Sequence, residues 1–203
     1  MEHHLFFLSL VTLFGTLSTL HVPKLDDLSD HDYLHKEVPS YFSKSCCNYN
    51  EPNAEDEMNI FIDCRGIIND KYKLQRPKPT GQDEEDRITM ISWIWNRTTC
   101  FSYCFLHKQG MANEDGTINV ETAMKKQKKS IPELVDPEAW TNIEKLCTKP
   151  NDDDKETYVC KKDALHFSGC VHDISEYYCP DALQSKGESC VKYREDTKNK
   201  YGI

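Results

Sequence analysis

Apolar residues recur with a helical period in the middle of the chain. From Asp86 onward, steps of about 100° per residue place most apolar side chains on one broad face. That face comprises Ile88, Ile91, Ile94, Trp95, Thr98, Phe101, Phe105 and Leu106, whereas Ser92, Asn96, Thr99, Tyr103 and His107 form a polar sector. The pattern predicts a helix of about twenty residues with a wide buried face. Gly110 is expected to end it.

Later segments of the chain indicate further helices. The polar turn NEDG precedes a predicted helix over residues 119–129, and a proline at an early position opens another over residues 137–147. Residues 160–179 are expected to carry one or two short helices. Segments 73–85 and 149–156 are polar, and the first contains two prolines and a glycine, so both are expected to be loops. Because no stretch shows sustained alternation, the predicted class is all-α.

The chain is expected to begin with a secretion signal. Residues 5–20 are apolar, but they fall short of the roughly 18 to 20 residues that a membrane-spanning helix needs. We therefore expect residues 1–18 to be a secretory signal peptide and the protein to be secreted, with no membrane span. Residues 19–45 are expected to form an acidic, loosely ordered arm, and residues 46–203 to form one folded domain with a C-terminal extension.

The charge of the chain argues against a polyanionic partner. The formal net charge is −9 and the isoelectric point is about 5.4. A nucleic-acid-binding protein normally presents a basic face, so no nucleic-acid partner is expected. The lysine-rich run Lys125, Lys126, Lys128 and Lys129 lies at the end of a predicted helix. The helix dipole favours cations there, and the run is interpreted as a solvated helix end.

Ten cysteines could close five disulfides, which persist in the oxidising surroundings of a secreted protein. They are Cys46, Cys47, Cys64, Cys100, Cys104, Cys147, Cys160, Cys170, Cys179 and Cys190. A metal site is the poorer interpretation, because Cys170 and His172 have no second close pair to complete a tetrahedral set of ligands. We expect neither a metal nor another cofactor.

Two short motifs suggest chemistry but have simpler explanations. His172 and Asp173 resemble the His-Asp pair of secreted phospholipases A2, but the cysteine context and the glycine-rich calcium loop of those enzymes are missing. No catalytic residue is therefore expected. Asn96 opens the sequon Asn96-Arg97-Thr98 and is a candidate glycosylation site on the polar sector of its helix.

The segment NEDGTI, residues 113–118, resembles the middle of an EF-hand calcium loop. In that register Met111 and Thr122 occupy the positions of the first ligand and of the bidentate glutamate. Neither side chain supplies the expected carboxylate. A polar turn between two helices is the better interpretation.

The cysteines have a specific spacing. Cys64 and Cys100 are separated by 35 residues, Cys100 and Cys104 by three, Cys104 and Cys147 by 42, and Cys170 and Cys179 by eight. This spacing resembles the six-cysteine framework of the insect odorant-binding proteins, the PBP/GOBP family. The adjacent Cys46 and Cys47, the Cys179-Pro180 element and Cys190 make it similar to the Plus-C subgroup. The twelve residues between Cys147 and Cys160 are fewer than that subgroup leads us to expect.

The resemblance implies a compact, disulfide-linked bundle of about six helices around an internal apolar cavity. The family pairing, carried over to this chain, joins Cys64 to Cys104, Cys100 to Cys170 and Cys147 to Cys179. Cys46, Cys47, Cys160 and Cys190 then remain. A bridge between the neighbours Cys46 and Cys47 would be strained, so each is expected to reach one of Cys160 and Cys190, in either order.

The resemblance implies a secreted carrier rather than an enzyme. Such a carrier solubilises small hydrophobic ligands (odorants, pheromones or lipids) and can deliver them to a membrane chemosensory receptor. Candidate lining residues are Ile91, Trp95, Phe101, Phe105, Met111, Met124, Trp140 and Tyr178, each of which is equally compatible with an ordinary core. Two alternatives stay open: a secreted disulfide-rich module that binds or inhibits a protein, and a phospholipase A2-like hydrolase.

Overall fold

The computed structural model describes residues 45–49, 55–73, 77–78, 80–81, 83–150 and 159–203. These residues belong to one compact unit, Ser45–Ile203. The predicted signal peptide, nearly all of the predicted arm and most of the predicted loop over residues 149–156 lie outside the described residues.

Six α-helices form the described part of the chain, which confirms the all-α class. They are α1 (Glu55–Lys73), α2 (Asp83–Lys108), α3 (Val120–Ser130), α4 (Pro137–Asn142), α5 (Asp163–Tyr177) and α6 (Glu188–Tyr201). Helix α4 continues directly into a π-helical turn over Ile143–Cys147. Two isolated antiparallel bridges join Cys47 to Gln184 and Ala112 to Ile118, and no strand occurs in the residues described.

Helices α3 and α4 begin at capping side chains. The side chain of Asn119 accepts a hydrogen bond from the backbone N–H of Thr122 at 3.1 Å, and Asp136 accepts one from Glu138 at 2.8 Å. Each contact satisfies a donor that the first turn of a helix leaves open. The predicted helices over residues 119–129 and 137–147 are therefore confirmed, the second with a π-helical end.

Helix α2 confirms the longest predicted helix, and Gly110 follows its end with φ at 72°. Its buried face is narrower than predicted. From the predicted apolar face only Leu106 is fully buried, and Ile88 is 56% exposed. Thr99, assigned to the polar sector, is buried instead, and its hydroxyl donates to the carbonyl of Trp95 at 3.0 Å.

The loop predicted over residues 73–85 is shorter in the structure at both ends. Helix α1 ends at Lys73 and α2 begins at Asp83, so the loop ends are helical. Acidic residues suit the first turn of a helix because they interact favourably with its dipole. The acidic segment 83–86 therefore opens α2 rather than closing the loop.

Helix α1 packs antiparallel against α2. Its buried stripe consists of Phe61, Cys64, Ile68 and Tyr72, at spacings of three and four residues. The rings of Phe61 and Phe101 meet edge to face at 5.3 Å, and Asp63 forms an ion pair with Lys108. We call the apolar group here the hairpin cluster: Ile68, Tyr72 and Cys100, with the partly buried Trp93, Phe101 and Cys160 packed against them.

Helix α5 is buried on nearly every side. Eleven of its 15 residues are buried, and it packs against α2, α4, the π-helical turn and α6. Phe167 and Ile174 are completely inaccessible, and the charged residues Asp173 and Glu176 are buried beside them. Since a helix buried all round occupies the centre of a bundle, α5 rather than α2 is the central helix.

Five disulfides use all ten cysteines. They join Cys46 to Cys190, Cys47 to Cys179, Cys64 to Cys104, Cys100 to Cys160 and Cys147 to Cys170. The predicted Cys64–Cys104 bridge is confirmed. The predicted bridges Cys100–Cys170 and Cys147–Cys179 are wrong, and so is the expectation that Cys47 reaches Cys160 or Cys190.

The six-cysteine framework ends one cysteine earlier in the structure than predicted, at Cys170 rather than Cys179. The family pattern joins the first of its six cysteines to the third, the second to the fifth and the fourth to the sixth. The observed pairs follow this pattern if the fifth cysteine is Cys160 and the sixth is Cys170, instead of Cys170 and Cys179. Cys160 precedes α5 and has its Cα atom 5.0 Å from that of Cys100. Cys170 faces the π-helical turn, with its Cα atom 5.3 Å from that of Cys147. The position of each cysteine relative to α5 therefore decides which partner it reaches.

Peptide mapping of the oxidised protein tests this register. Trypsin cleaves after Lys161 and Lys162, which separates Cys160 from Cys170, and chymotrypsin cleaves after the tyrosines that separate Cys170 from Cys179. A double digest therefore places the three cysteines on different peptides. Mass spectrometry before and after reduction then identifies each bridge.

We expect one cross-linked species that contains Cys100 and Cys160, and another that contains Cys147 and Cys170. Both should disappear on reduction. A species that joins Cys100 to Cys170 would contradict the structure and restore the register expected from spacing alone.

Candidate ligand-binding site

A large apolar cluster lies where α5 faces α3, α4 and the C-terminal part of α2. We call it the main cluster, and its buried members are Leu106, Met111, Ala112, Ile118, Ala123, Met124, Leu134, Ala139, Ile143, Cys147, Ala164, Phe167, Cys170, Val171 and Ile174. Partly buried apolar side chains pack against it: Tyr49, Tyr103, Phe105, Ile131, Trp140, Leu146, Tyr178, Tyr201 and Ile203. The cluster therefore combines aliphatic and methionine side chains with an edge rich in aromatic rings.

The structure brings together five of the eight candidate lining residues. Met111 and Met124 are buried in the main cluster, and Phe105, Trp140 and Tyr178 pack against it. The other three lie elsewhere. Phe101 packs in the hairpin cluster, whereas Ile91 and Trp95 are half-buried and belong to neither group of described side chains.

Several members of the main cluster were not among the candidate lining residues. Phe167, Ile143 and Ile174 are its largest fully buried side chains, and Tyr49 and Tyr201 reach it from the two ends of the described unit. Helical spacing marks residues 143 and 167 as apolar positions. It does not show which helices meet, so the cluster could not be assembled from the sequence.

The polar atoms at the edge of the main cluster already have partners within the protein. The indole N–H of Trp140 donates to the carbonyl of Leu134 at 2.7 Å. The hydroxyl of Tyr178 accepts from the side-chain amide of Asn142 at 2.9 Å, and that of Tyr103 donates to the carbonyl of Glu114 at 3.1 Å. Because these groups are satisfied, the rings offer mainly apolar surface to a neighbouring molecule.

The chain matches a known family over most of this region. Residues 80–174 match the PBP/GOBP family model. The match covers a little under half of the chain, and this region is similar to the PBP/GOBP family. Members of that family are carriers that bind odorants and pheromones. Neither the search of curated proteins nor that of solved structures found a match.

The extent of the PBP/GOBP match agrees with the disulfide register. The matched residues include Cys147, Cys160 and Cys170, but they end before Cys179. The bridges of Cys179 and Cys190 therefore involve cysteines outside the matched stretch. Among the helices described here, none is both long and apolar enough to cross a bilayer.

Two buried carboxylates of α5 hold the ends of the described unit. Asp173 accepts from the hydroxyls of Tyr193 at 2.5 Å and Tyr201 at 2.9 Å, and from the ammonium of Lys200 at 2.9 Å, all on α6. Glu176 accepts from the backbone N–H of Cys46 at 2.7 Å and from the Ser45 hydroxyl at 2.8 Å. Multiple donors compensate for removing these charges from water.

Two tyrosine hydroxyls in these contacts stay protonated. Burial, together with the nearby charge of Asp173, raises the pKa of Tyr201 well above its ordinary value. Burial also raises the pKa of Tyr49, with a further contribution from Glu176, and this hydroxyl donates to the carbonyl of Ser175 at 2.7 Å. Both hydroxyls therefore act as hydrogen-bond donors that fasten Tyr49 and Tyr201 beside the main cluster.

The motif that resembles a phospholipase pair has a structural explanation. Asp173 is 3% exposed and binds α6 through three donors, while the ring of His172 lies 6.5 Å from that of Tyr193. Cys170 is bonded to Cys147, so its sulfur is not a thiolate ligand for a metal. The three side chains thus connect α5 to its neighbours.

The segment that resembles an EF-hand is a closed polar turn. The carboxylate of Asp115 accepts from the backbone N–H of Thr117 at 2.9 Å and from its hydroxyl at 2.6 Å. These hydrogen bonds lower the pKa of Asp115. An antiparallel bridge between Ala112 and Ile118 closes the turn, as expected for a connection between two helices.

Asn96 connects α2 to the segment before α5. Its side-chain amide donates to the carbonyl of Ser92 at 3.0 Å, and its oxygen accepts from the backbone N–H of Val159 at 2.9 Å. The second contact lies next to the Cys100–Cys160 bridge. Glycosylation of Asn96 stays a prediction.

Replacing Asp173 tests its structural role. We expect Asp173→Asn to destabilise the protein by about 2 kcal/mol, because a neutral amide accepts more weakly from the three α6 donors. Urea unfolding followed by circular dichroism measures the change. The exposed Asp196 on α6 supplies a matched control, and Asp196→Asn should change stability by no more than about 0.5 kcal/mol. Equal effects of the two substitutions would contradict the assignment.

Proposed function

We propose that this protein is a secreted carrier that binds a small hydrophobic molecule within the main cluster. The match of residues 80–174 to the PBP/GOBP family model supports this function, since members of that family carry odorants and pheromones. Five disulfides support an extracellular location, because such bonds persist in oxidising surroundings. Delivery of the ligand to a membrane chemosensory receptor is part of the proposal.

The observation that carries the proposal is the composition of the main cluster. Met111 and Met124 are buried within it, and Phe105, Trp140 and Tyr178 pack against it. Methionine adapts to ligands of different shape, and aromatic rings supply large apolar contact areas. Burying apolar ligand surface contributes about 25 cal/mol per Å² before the costs of association. A ligand therefore needs no charged partner here.

The disulfides support a bundle with an internal apolar cavity. A cavity destabilises a bundle because side chains around it lose packing contacts. In the chain-entropy account a bridge contributes about 3 to 5 kcal/mol, as an upper estimate when loops overlap. The bridge Cys147–Cys170 holds α5 to the π-helical turn within the main cluster, and the bridge Cys100–Cys160 holds the segment before α5 to α2 beside the hairpin cluster. They offset the cost of keeping the cluster accessible.

The proposal divides the sequence into three parts. We assign residues 1–18 to a signal peptide and residues 19–45 to an acidic arm, followed by the carrier domain over residues 46–203. The bridges Cys46–Cys190 and Cys47–Cys179 lie outside the six-cysteine framework. These additional bridges support the Plus-C subgroup.

The proposal assigns no catalytic role and no cofactor. The structural contacts of Asp173 make the phospholipase A2-like alternative less favourable, because the carboxylate is already shared among three donors of α6. A protein-binding or inhibitory module is the second alternative. It would not need an apolar molecule inside the main cluster.

Displacement of a fluorescent apolar probe tests the carrier function. Aminoanthracene should gain fluorescence on binding to the oxidised protein, and long-chain alcohols, aldehydes or fatty acids should displace it. Complete reduction should abolish this binding. If no apolar compound bound to the oxidised protein, the protein-binding alternative would replace the carrier.

The three tryptophans allow the ligand to be located. Trp140 packs against the main cluster, Trp93 against the hairpin cluster, and Trp95 in neither. A brominated fatty acid quenches tryptophan on contact. We expect saturable quenching in the Trp93→Phe/Trp95→Phe protein, which keeps Trp140, and little quenching in the Trp140→Phe protein.

The two proteins serve as matched controls because both carry Trp→Phe substitutions. If only the Trp140→Phe protein were quenched, the ligand would have to lie near α1 and the first half of α2 instead. Circular dichroism should show equal helix content in both, so that lost quenching reports ligand position rather than unfolding.

A further inference from the structure

The four lysines near the end of α3 form one continuous charged face. On a helix with about 3.6 residues per turn, Lys125, Lys126, Lys128 and Lys129 fall within an arc of about 160°. All four are exposed. Ala123 and Met124 are buried and lie on the opposite side of α3, against the main cluster. Most of the lysine face therefore points away from the main cluster, and Lys128 alone approaches its edge, at Trp140.

The charges of this face are open to an external partner. Among the described residues, none of the four lysines forms an ion pair. Lys128 lies with its Nζ atom 5.8 Å from the centre of the Trp140 ring, which extends the basic surface toward α4. Glu121 is the acidic side chain on the same side of α3, one turn before Lys125. The local charge is therefore strongly positive.

The net charge of −9 does not cancel this local field. At physiological ionic strength, charges separated by more than about 8 Å are largely screened from one another. A flexible polyanion that touches α3 therefore experiences the four lysines more strongly than distant carboxylates. A solvated helix end explains why the four lysines are exposed. It does not explain why four cations lie on one face of α3.

We propose that the lysine face of α3 binds a sulfated polysaccharide. Short lysine-rich runs bind such polymers through charge, and dense sulfate groups match four cations within five residues. A folded protein partner would more often use buried aromatic or aliphatic anchors, which the lysine arc does not carry. Binding would retain the carrier near an extracellular matrix while its main cluster holds a ligand.

Heparin affinity chromatography and salt-dependent titration test the proposal with the full secreted chain. We expect the wild-type protein to bind heparin at about 50 mM salt and to lose affinity as salt rises, because binding releases counterions. The quadruple variant K125Q/K126Q/K128Q/K129Q should bind at least about tenfold more weakly, with a shallower salt dependence. Chemically desulfated heparin should not bind the wild type.

A second quadruple variant controls for total charge. K145Q/K186Q/K192Q/K198Q removes four exposed lysines outside α3 and gives the same net charge. It should keep heparin affinity within about twofold of the wild type. Circular dichroism checks that both variants are folded, and glutamine is a good helix former.

Three results would overturn the proposal. The first is no binding of heparin by the wild type at low salt. The second is an equal loss of affinity in the two quadruple variants, which would make bulk charge the cause. The third is tighter binding to phosphatidylserine vesicles or to single-stranded DNA than to heparin, which would assign the face to a different partner.

Discussion

A helix buried on all sides must find partners inside the protein for every charge it carries. Helix α5 meets this constraint at Asp173 and Glu176, whose carboxylates accept hydrogen bonds from α6 and from Ser45 and Cys46. Both ends of the described unit are thereby bound to one helix. The apolar side chains Ala164, Phe167, Val171 and Ile174 of the same helix belong to the main cluster.

The disulfides reinforce the same arrangement. Cys160, Cys170 and Cys179 lie before, within and just after α5, and they connect it to α2, to the π-helical turn and to the segment at Cys47. Helix α2, in contrast, is bonded through Cys104 to α1 on one side and through Cys100 to the segment before α5 on the other. The proposed ligand site therefore lies between covalently connected helices.

Local signals made α2, α3 and α4 predictable. Their apolar spacing, the caps Asn119 and Asp136, and Gly110 are properties of short segments. Helix α6 was not delimited because its sequence is polar, and its position depends on the distant Asp173. The burial of Thr99 likewise depends on neighbours that a helical wheel does not contain.

The disulfide register failed for a related reason. Nine residues separate Cys160 from Cys170, and eight separate Cys170 from Cys179, so either pair resembles the end of the family framework. The structure decides between them, because Cys160, before α5, is bonded to Cys100, whereas Cys170, within α5, is bonded to Cys147. Five of the eight candidate lining residues meet at the main cluster because their helices pack there. Phe101 faces α1 instead, which the sequence does not show.

The central claim is that the contact between α2 and α5, rather than the contact between α1 and α2, maintains the ligand site. Aminoanthracene binding to a C100S/C160S protein, compared with a C64S/C104S protein, tests it most directly. The account predicts similar helix content in both, an affinity loss of about tenfold for the first and less than about twofold for the second. Equal affinities, or a larger loss in the C64S/C104S protein, would contradict it.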